Sequence, residues 1–398
     1  MLKVLLVDDN PNVLHSFKRA LHSGNNQWKI LIAESAADAL ELIALEEVDI
    51  IISDLRMPIM DGVTLLGIVA QKSPATLRIA ITGDADPAIC QQATLVAHQF
   101  IAKPIDPQDL SRIIDQATGV SNLVAKPEVR RSILRIANLP SQPGLYNQLV
   151  AELNKPEVNL DYVASVISQD ISMTAKILQL VNSAYFGLAR EVKDVSQAVY
   201  YLGVETIRDL SFSIHLFSQF DQDLINRSGL ANLWDHSLRV ASCSRAIMAS
   251  TINDKKVLTG AFTAGLLHDI GKLILGTTSP AFYSSLKNER SDAPIHDLVR
   301  EKEEFGSTHA DIGAYLLGCW GLPQDIINAV LTHHSFEILD PMRFSPSLVI
   351  WFANEFVNSH SRSSDFSGFK LTEEKTQNRI LADHYEMWVN ECIKIELK

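Results

Sequence analysis

The feature that most constrains this fold is an alternation in the first 120 residues, where short apolar runs are each followed by a helical pattern. Leu2 to Val7, Lys29 to Ala33, Val48 to Ser53, Leu77 to Thr82 and Phe100 to Ala102 read as strands. Helical spacing follows at Val13, Leu14, Phe17 and Leu21 before Gly24, over Ala36 to Leu45, and over Asp106 to Ala117. Continuous apolar runs mean strands buried on both faces, and alternation with helices means parallel pairing. The expected fold is therefore a doubly wound α/β unit with a parallel five-stranded sheet. Ligands of such sheets sit beyond the carboxyl ends of the strands.

Polar residues fall at those ends. Asp8 and Asp9 follow the first strand, Asp54 the third, Thr82 the fourth and Lys103 the fifth. Any one of them alone reads as an ordinary polar group of a loop. Together they put three carboxylates, a hydroxyl and an ammonium on one rim. Clustered carboxylates repel unless a cation neutralises them, and a few hard oxygen ligands suit magnesium. A carboxylate beside that ion can attack a phosphoryl group, with Lys103 and Thr82 stabilising the transferred oxygens.

Asp8-Asp9, Asp54 followed by Met57-Pro58 and Asp61-Gly62, Thr82, and Lys103-Pro104 resemble the response-regulator receiver domain over about residues 1 to 120. The resemblance implies that Asp54 is the phosphoacceptor, phosphorylated by a sensor histidine kinase. It implies that Asp9, with Asp8, Asp54 and the Arg56 backbone carbonyl, holds Mg2+. Thr82 and Phe100 become switch residues, Lys103 the partner of the phosphoryl group, and the Lys103-Pro104 bond cis. The ring of Phe100 is expected to swing inward when Thr82 turns to the phosphoryl group.

Strand-like runs stop near Thr118-Gly119, and Val120 to Arg130 reads as a partly helical connector. Beyond it the pattern is helical: Val129 to Ala137, Gly144 to Asn154, Leu160 to Ser168, Ile171 to Asn182, Val195 to Leu202, Val204 to Phe217, Leu230 to Ser250 and Lys255 to Leu267. Asp170 and Asp194 stand at cap positions. Ser359 to Gly368, with five serines, reads as a loop before a last helix from about Thr372 to Ile395. The expected division is a receiver over 1–119, a linker over 120–130, an all-α domain over 131–340 and a helical extension over 341–398.

Leu139-Pro140-Ser141-Gln142-Pro143, Ile171 to Leu178, Val181-Asn182-Ser183-Ala184-Tyr185-Phe186-Gly187, Ala198 to Gly203 and Leu233 to Ser237 resemble the HDOD family of HD-related output domains, over about residues 130 to 335. In that family Asn182 and Ser183 would end a helix and open a turn.

Within Gly265-Leu266-Leu267-His268-Asp269-Ile270-Gly271-Lys272, an adjacent imidazole and carboxylate end an apolar helical run that a glycine closes. By itself the pair reads more readily as a capped core helix in which Asp269 pairs with Lys272. His236 lies on the seam Leu233, His236, Val240, Ile247, His309 opens a helix after Ser307-Thr308, and His333-His334 end the run Ile326, Ile327, Val330, Leu331. A lone histidine on an apolar face is usually a satisfied core residue, but five with an adjacent aspartate favour a metal site. HD-type metal phosphohydrolases use ligands in this chain order, and the resemblance places His236, His268, Asp269, His309, His333 and His334 at their positions, for one or two ions of Fe, Mn or Mg, with a nucleotide as candidate ligand. The chain departs from them where Asn354 takes the final carboxylate position, and where Ser335-Phe336-Glu337 replaces a Gly-Tyr-Pro signature.

Composition restricts the partners. A net charge of -12 works against nucleic acid and anionic membranes. No apolar run is long enough to span a bilayer, and Cys90, Cys243, Cys319 and Cys392 form no CxxC pair, which fits a reducing cytoplasm. The expected function is that of a two-component response regulator whose helical domain binds a downstream protein partner, with a homodimer as one form. The alternative is a receiver-controlled metal-dependent phosphodiesterase. A DNA-binding output is disfavoured.

Overall fold

The strands β1 (Leu2–Val7), β2 (Trp28–Ala33), β3 (Ile50–Asp54), β4 (Leu77–Thr82) and β5 (Gln99–Ala102) pair in parallel in the order β2-β1-β3-β4-β5. The computed structural model describes residues 2–24, 28–83, 93, 96–136, 140–141, 143–182, 191–213, 218–219, 232–252, 255–288, 294–340, 342–360, 369, 375 and 378–397. The helices α1 (Pro11–Gly24), α2 (Ala36–Leu45), α3 (Gly62–Lys72) and α4 (Pro107–Ser121) complete the expected α/β unit. Ser35, Asp61 and Asp106 cap α2, α3 and α4 with side-chain oxygens, which satisfies backbone N–H groups that a helix start leaves unpaired. Sequence periodicity missed α3, because Gly62, Leu65, Leu66 and Val69 are all buried and the helix shows little polar contrast.

The two faces of the sheet feed different cores. Leu5, Ile51, Leu65, Ala80 and Phe100 pack with α2 and α3. Leu6, Ile52, Ile79, Ile101 and Ile114 join a second core that runs without a break through Val120, Val124, Leu134, Ile177, Leu316 and Ile327 in the second half of the chain. Burying apolar surface at about 25 cal/mol per Å² makes this shared core the main tie between the halves.

That second half is helical: α5 (Pro127–Leu134), α6 (Pro143–Leu153), α7 (Leu160–Ile167), α8 (Ile171–Val181), α9 (Val195–Ser213), α10 (Leu233–Thr251), α11 (Lys255–Leu267), α12 (Ile270–Thr278), α13 (Pro280–Asn288), α14 (Pro294–Phe305), α15 (His309–Cys319), α16 (Gln324–Thr332), α17 (Pro346–His360) and α18 (Arg379–Glu396). Two short segments, β6 (Pro140–Ser141) and β7 (Ser218–Gln219), pair in parallel. Asp170 caps α8 as expected, and α9 breaks at Gly203, whose φ of 74° a side chain would disfavour. Four helices, α12, α13, α14 and α17, were not foreseen. The Asn182-Ser183 signature from Ser183 to Gly187 and most of the Ser359 to Gly368 loop lie outside the described residues, as does Cys90. Cys243, Cys319 and Cys392 are buried and free. No helix among the described residues is long and apolar enough to cross a membrane.

The halves meet along β5 and α4. Gln99 Nε2 donates to Gly318 O at 3.0 Å, Gln116 Nε2 to Leu322 O at 3.0 Å and Gln179 Nε2 to His98 O at 2.8 Å. Arg78 Nη2 donates to Leu134 O at 3.3 Å, and Ser307 Oγ to Leu123 O at 3.0 Å. Because one core crosses this seam, the two halves are expected to melt in a single calorimetric transition. Val120→Asp, which leaves a carboxylate in the seam without a partner, is expected to cost roughly 3–5 kcal/mol and to split that transition in two.

Candidate functional site

Parallel pairing gathers the loops after β1, β3, β4 and β5 on one rim. Asp8 and Asp54 are buried there at 2% and 6% exposure, Asp9 faces solvent, and one oxygen from each lies within 4.8 Å of the others. Lys103 Nζ bridges the pair, donating to Asp8 Oδ2 at 2.9 Å and Asp54 Oδ2 at 2.6 Å. Burial alone would lower the Lys103 pKa, but these hydrogen bonds outweigh it and hold the ammonium above its ordinary value. Arg56 N–H reaches Asp54 Oδ1 at 3.4 Å, which brings the Arg56 main chain to the same carboxylate. The carbonyl of Thr82 accepts the Lys103 N–H at 2.7 Å, and the Lys103-Pro104 bond is cis. Phe100 is 7% exposed and already packed into the core on the α2 and α3 side. Three hard oxygen donors, one open to water, fit a divalent cation of the magnesium type.

The second cluster is assembled from six elements. His236 comes from α10, His268 follows α11, Asp269 opens α12, His309 begins α15, His333 and His334 follow α16, and Asn354 lies on α17. Asp269 is 1% exposed and divides its oxygens between two groups. Its Oδ1 lies 3.2 Å from His309 Nε2 and 3.4 Å from His333 Nε2. Its Oδ2 lies 3.3 Å from His268 Nε2, 3.6 Å from His236 Nε2 and 2.7 Å from Lys272 Nζ. The imidazole contacts and the Asp269–Lys272 ion pair therefore coexist on one carboxylate. One atom each from Asp269, His309, His333 and His334, and likewise from His236, His268 and Asp269, fall within 4.8 Å of one another.

The imidazoles turn the same edge inward. His268 Nδ1 lies 2.6 Å from Gly265 O and His333 Nδ1 2.6 Å from Val330 O, so both must donate there. These partners assign a proton to Nδ1 and leave Nε2 as a lone pair. His309 Nε2 then stands 3.2 Å from His333 Nε2 and 3.0 Å from His334 Nε2. Facing lone pairs repel, so each contact calls for a cation between the nitrogens, either a proton or a metal ion. Burial pushes His236 down to about 3 and His333 to about 4, and holds His334 well below the ordinary imidazole value. Burial acts on His309 in the same direction, but the Glu301 carboxylate overcomes it and raises His309 to about 9. For Asp269, burial would raise the pKa, yet His268 and Lys272 hold the carboxylate well below its usual range. A nitrogen and oxygen donor set around a buried anion suits a transition metal such as iron or manganese.

Gly271 does not close a helix, as the sequence implied. It sits in the first turn of α12, where a Cβ would stand 1.9 Å from His309 O, so its lack of a side chain lets α12 and α15 touch. Asn354, at the place of the expected carboxylate, accepts at Oδ1 from Asn358 Nδ2 at 3.0 Å and lies 3.1 Å from His236 Nε2. Two neighbours of the cluster had no sequence signal. Glu301 sits eight residues before His309 on α14, and Tyr283 Oη donates to it at 3.1 Å.

Residues 4–115 match the response regulator receiver domain and residues 139–336 match the HDOD domain. The chain belongs to the response regulators that join these two domains. An uncharacterized protein of Treponema pallidum is 27% identical over 55% of this chain and 42% of its own length. The transcriptional regulatory protein GlrR of Escherichia coli is 35% identical over 33% of this chain and 29% of its own. The chain thus spans less than half the length of either relative. Among solved structures, the MmoQ response regulator of Methylococcus capsulatus is similar in fold, with TM-score 0.51 and 22% identity over 65% of this chain and 97% of that one.

Gly271→Ala is expected to cost at least 1–3 kcal/mol by overpacking, read as a lower melting temperature, because backbone rather than a flexible side chain stands in the way. A pH effect also follows for chelator-treated protein. The folded pKa of His309, about 9, exceeds its unfolded value of 6.5. Its contribution is full below about pH 6.5 and is lost as pH rises through about 9; at about 1.4 kcal/mol per pH unit it amounts to about 3 kcal/mol. The depressed His236 and His333 act in the opposite sense and only below about pH 6.5. Lys176, whose pKa burial lowers to about 7, adds stability over the same range, so the expected outcome is a difference between proteins: from pH 7 to pH 9.5 the metal-free chain falls in melting temperature relative to its His309→Asn variant.

Proposed function

We propose that this chain is a two-component response regulator: a sensor histidine kinase phosphorylates Asp54 in the cytoplasm, and the helical domain relays the change to a protein partner. The observation that carries the reading is the Lys103 bridge between Asp8 and Asp54 at the carboxyl end of the sheet. An Asp54 oxygen attacks the phosphorus of the donor, and a new P–O bond forms as the bond to the donor histidine nitrogen breaks. Lys103 and the Thr82 hydroxyl face the transferred oxygens. Magnesium held by Asp8, Asp9, Asp54 and the Arg56 carbonyl would supply the positive charge that offsets them.

Phosphorylation would esterify one Asp54 oxygen and bring phosphoryl oxygens that compete for the Lys103 ammonium, so the bridge to Asp8 and Asp54 would rearrange. Lys103 is continuous with β5, and Gln99 and His98 at the start of that strand bond directly to α15 and α8. Thr82 and Phe100 flank the same path. The helical domain therefore receives the change through these hydrogen bonds from side-chain amides to main-chain carbonyls rather than through a free linker.

A second reading, a metal-dependent phosphohydrolase controlled by the receiver, is favoured by the convergence of five imidazoles on Asp269 with Lys272 beside it. It is opposed by the neutral amide of Asn354. On the first reading the cluster holds iron or manganese in a binding module. On the second, it would activate a water.

With magnesium and a small phosphodonor, the chain is expected to take up one acid-labile phosphoryl group, which Asp54→Asn abolishes; a label that persists in the variant overturns the assignment. Elemental analysis after growth in iron and manganese separates the two output readings when paired with a nucleotide phosphodiester assay. Metal without turnover supports the binding module, and turnover that appears in Asn354→Asp supports a decayed enzyme.

A further inference from the structure

Glu301 is fully buried, and nothing in the receiver or HD patterns assigns it a role. Its Oε2 accepts the His309 backbone N–H at 2.7 Å, and His309 Nδ1 lies 2.8 Å from Oε2 and 3.0 Å from Oε1. Tyr283 Oη supplies a further donor. A buried carboxylate is tolerated only when paired and hydrogen-bonded. Here those bonds converge on one imidazole and fix its proton on Nδ1, so that Nε2 faces Asp269, His333 and His334.

The two halves of the cluster differ in what they leave unsatisfied. His268 and His333 rest their Nδ1 on neutral carbonyls, whereas His309 rests on a carboxylate. On the other side, His236 Nε2 lies 3.2 Å from His268 Nε2 and 3.1 Å from Asn354 Oδ1, so one proton on His236 serves both contacts without an ion. In the His309 half, His309 Nε2 lies 3.2 Å from His333 Nε2 and 3.0 Å from His334 Nε2, with two carboxylates, Asp269 and Glu301, against the same imidazole. Asp269 is shared between the halves, so Glu301 is the carboxylate that makes the His309 side the more negative one.

We propose that Glu301 is the positioning residue of a divalent-cation site formed by Asp269, His309, His333 and His334, and that the first ion binds there rather than between His236, His268 and Asn354. The proposal rests on the reading of the cluster as a metal site. Outer carboxylates that orient a ligating histidine typically contribute 10-fold to 100-fold in metal affinity.

The test titrates Co2+ alone into the chelator-treated full chain, followed by calorimetry and by the visible absorption of bound Co2+. One equivalent is expected to bind first. Glu301→Gln weakens that equivalent by about 10-fold to 100-fold and alters its absorption, while Asp54 still takes up its phosphoryl group as a check on folding. His334→Ala abolishes the first equivalent and His236→Ala leaves it intact. The proposal is overturned if Glu301→Gln binds Co2+ as the parent does, or if His236→Ala removes the first equivalent and His334→Ala does not. The His236 and His334 pair keeps the placement of the ion testable should the Glu301 variant misfold. A parent chain that takes up no Co2+ overturns the metal reading itself.

Discussion

Asp269 lies where α10, α11, α12, α15 and α16 come together, and each of its oxygens faces a different pair of imidazoles. Removing a carboxylate from water costs several kcal/mol, a penalty repaid only by close and well-aligned partners. Lys272 supplies one, three residues along the same turn, His268 another from the preceding position, and the remaining imidazoles come from helices far apart in sequence. The arrangement also demands close helix contacts: Gly265 lets α11 approach Ala241 on α10, as Gly271 does for α12 and α15. The buried anion and the small residues around it set how these helices pack.

The seam with the receiver follows a different rule. Its hydrogen bonds run mainly from side-chain amides and a guanidinium on one half to main-chain carbonyls on the other, at Gly318, Leu322, Leu134 and His98. Leu134 ends α5, where a carbonyl has no helical partner, so the Arg78 bond satisfies a group that burial would otherwise leave costly. Cations are also buried there. Lys176 Nζ lies 5.0 Å over the Trp320 ring, and burial lowers its pKa to about 7, while burial also lowers Arg78 to about 10. His98, between them, is held neutral by burial and by Arg78. A seam of this polarity holds one alignment and loses several bonds at once when it shifts.

The receiver was legible in the sequence because its signals are local. Five apolar runs set the strands, and parallel order then forced Asp8, Asp54, Thr82 and Lys103 onto one rim. The helical domain was legible in class but not in detail. Helices α12 and α17 are buried on nearly every side, so few polar residues mark their exposed faces, and Gly271 resembled a stop signal because only tertiary contact reveals its neighbour. His268 and Asp269 were visible as a pair. Glu301 was not, since a glutamate among Glu303 and Glu304 on a charged helix looks like a solvated face. Burial beneath Tyr283 and His309 separates it from them, and burial is a property of the fold.

One helix connects the two clusters. α15 begins with His309 among the imidazoles and ends near Gly318, whose carbonyl accepts from Gln99 at the start of β5. Eleven residues at 1.5 Å each make a rod of roughly 16 Å, fixed at its first turn by the capping box of Thr308 and Asp311. A helix packed on all sides moves as a unit. A displacement of β5 would therefore act on both ends of α15, and His309 is the cluster residue on that helix. Because His309 Nδ1 is held by Glu301 on α14, a shift of α15 relative to α14 changes the aim of Nε2 towards Asp269. The same geometry works in reverse: an ion held between α15, α16 and Asp269 would resist that shift, so occupancy of the cluster and rearrangement at Lys103 would bear on one equilibrium.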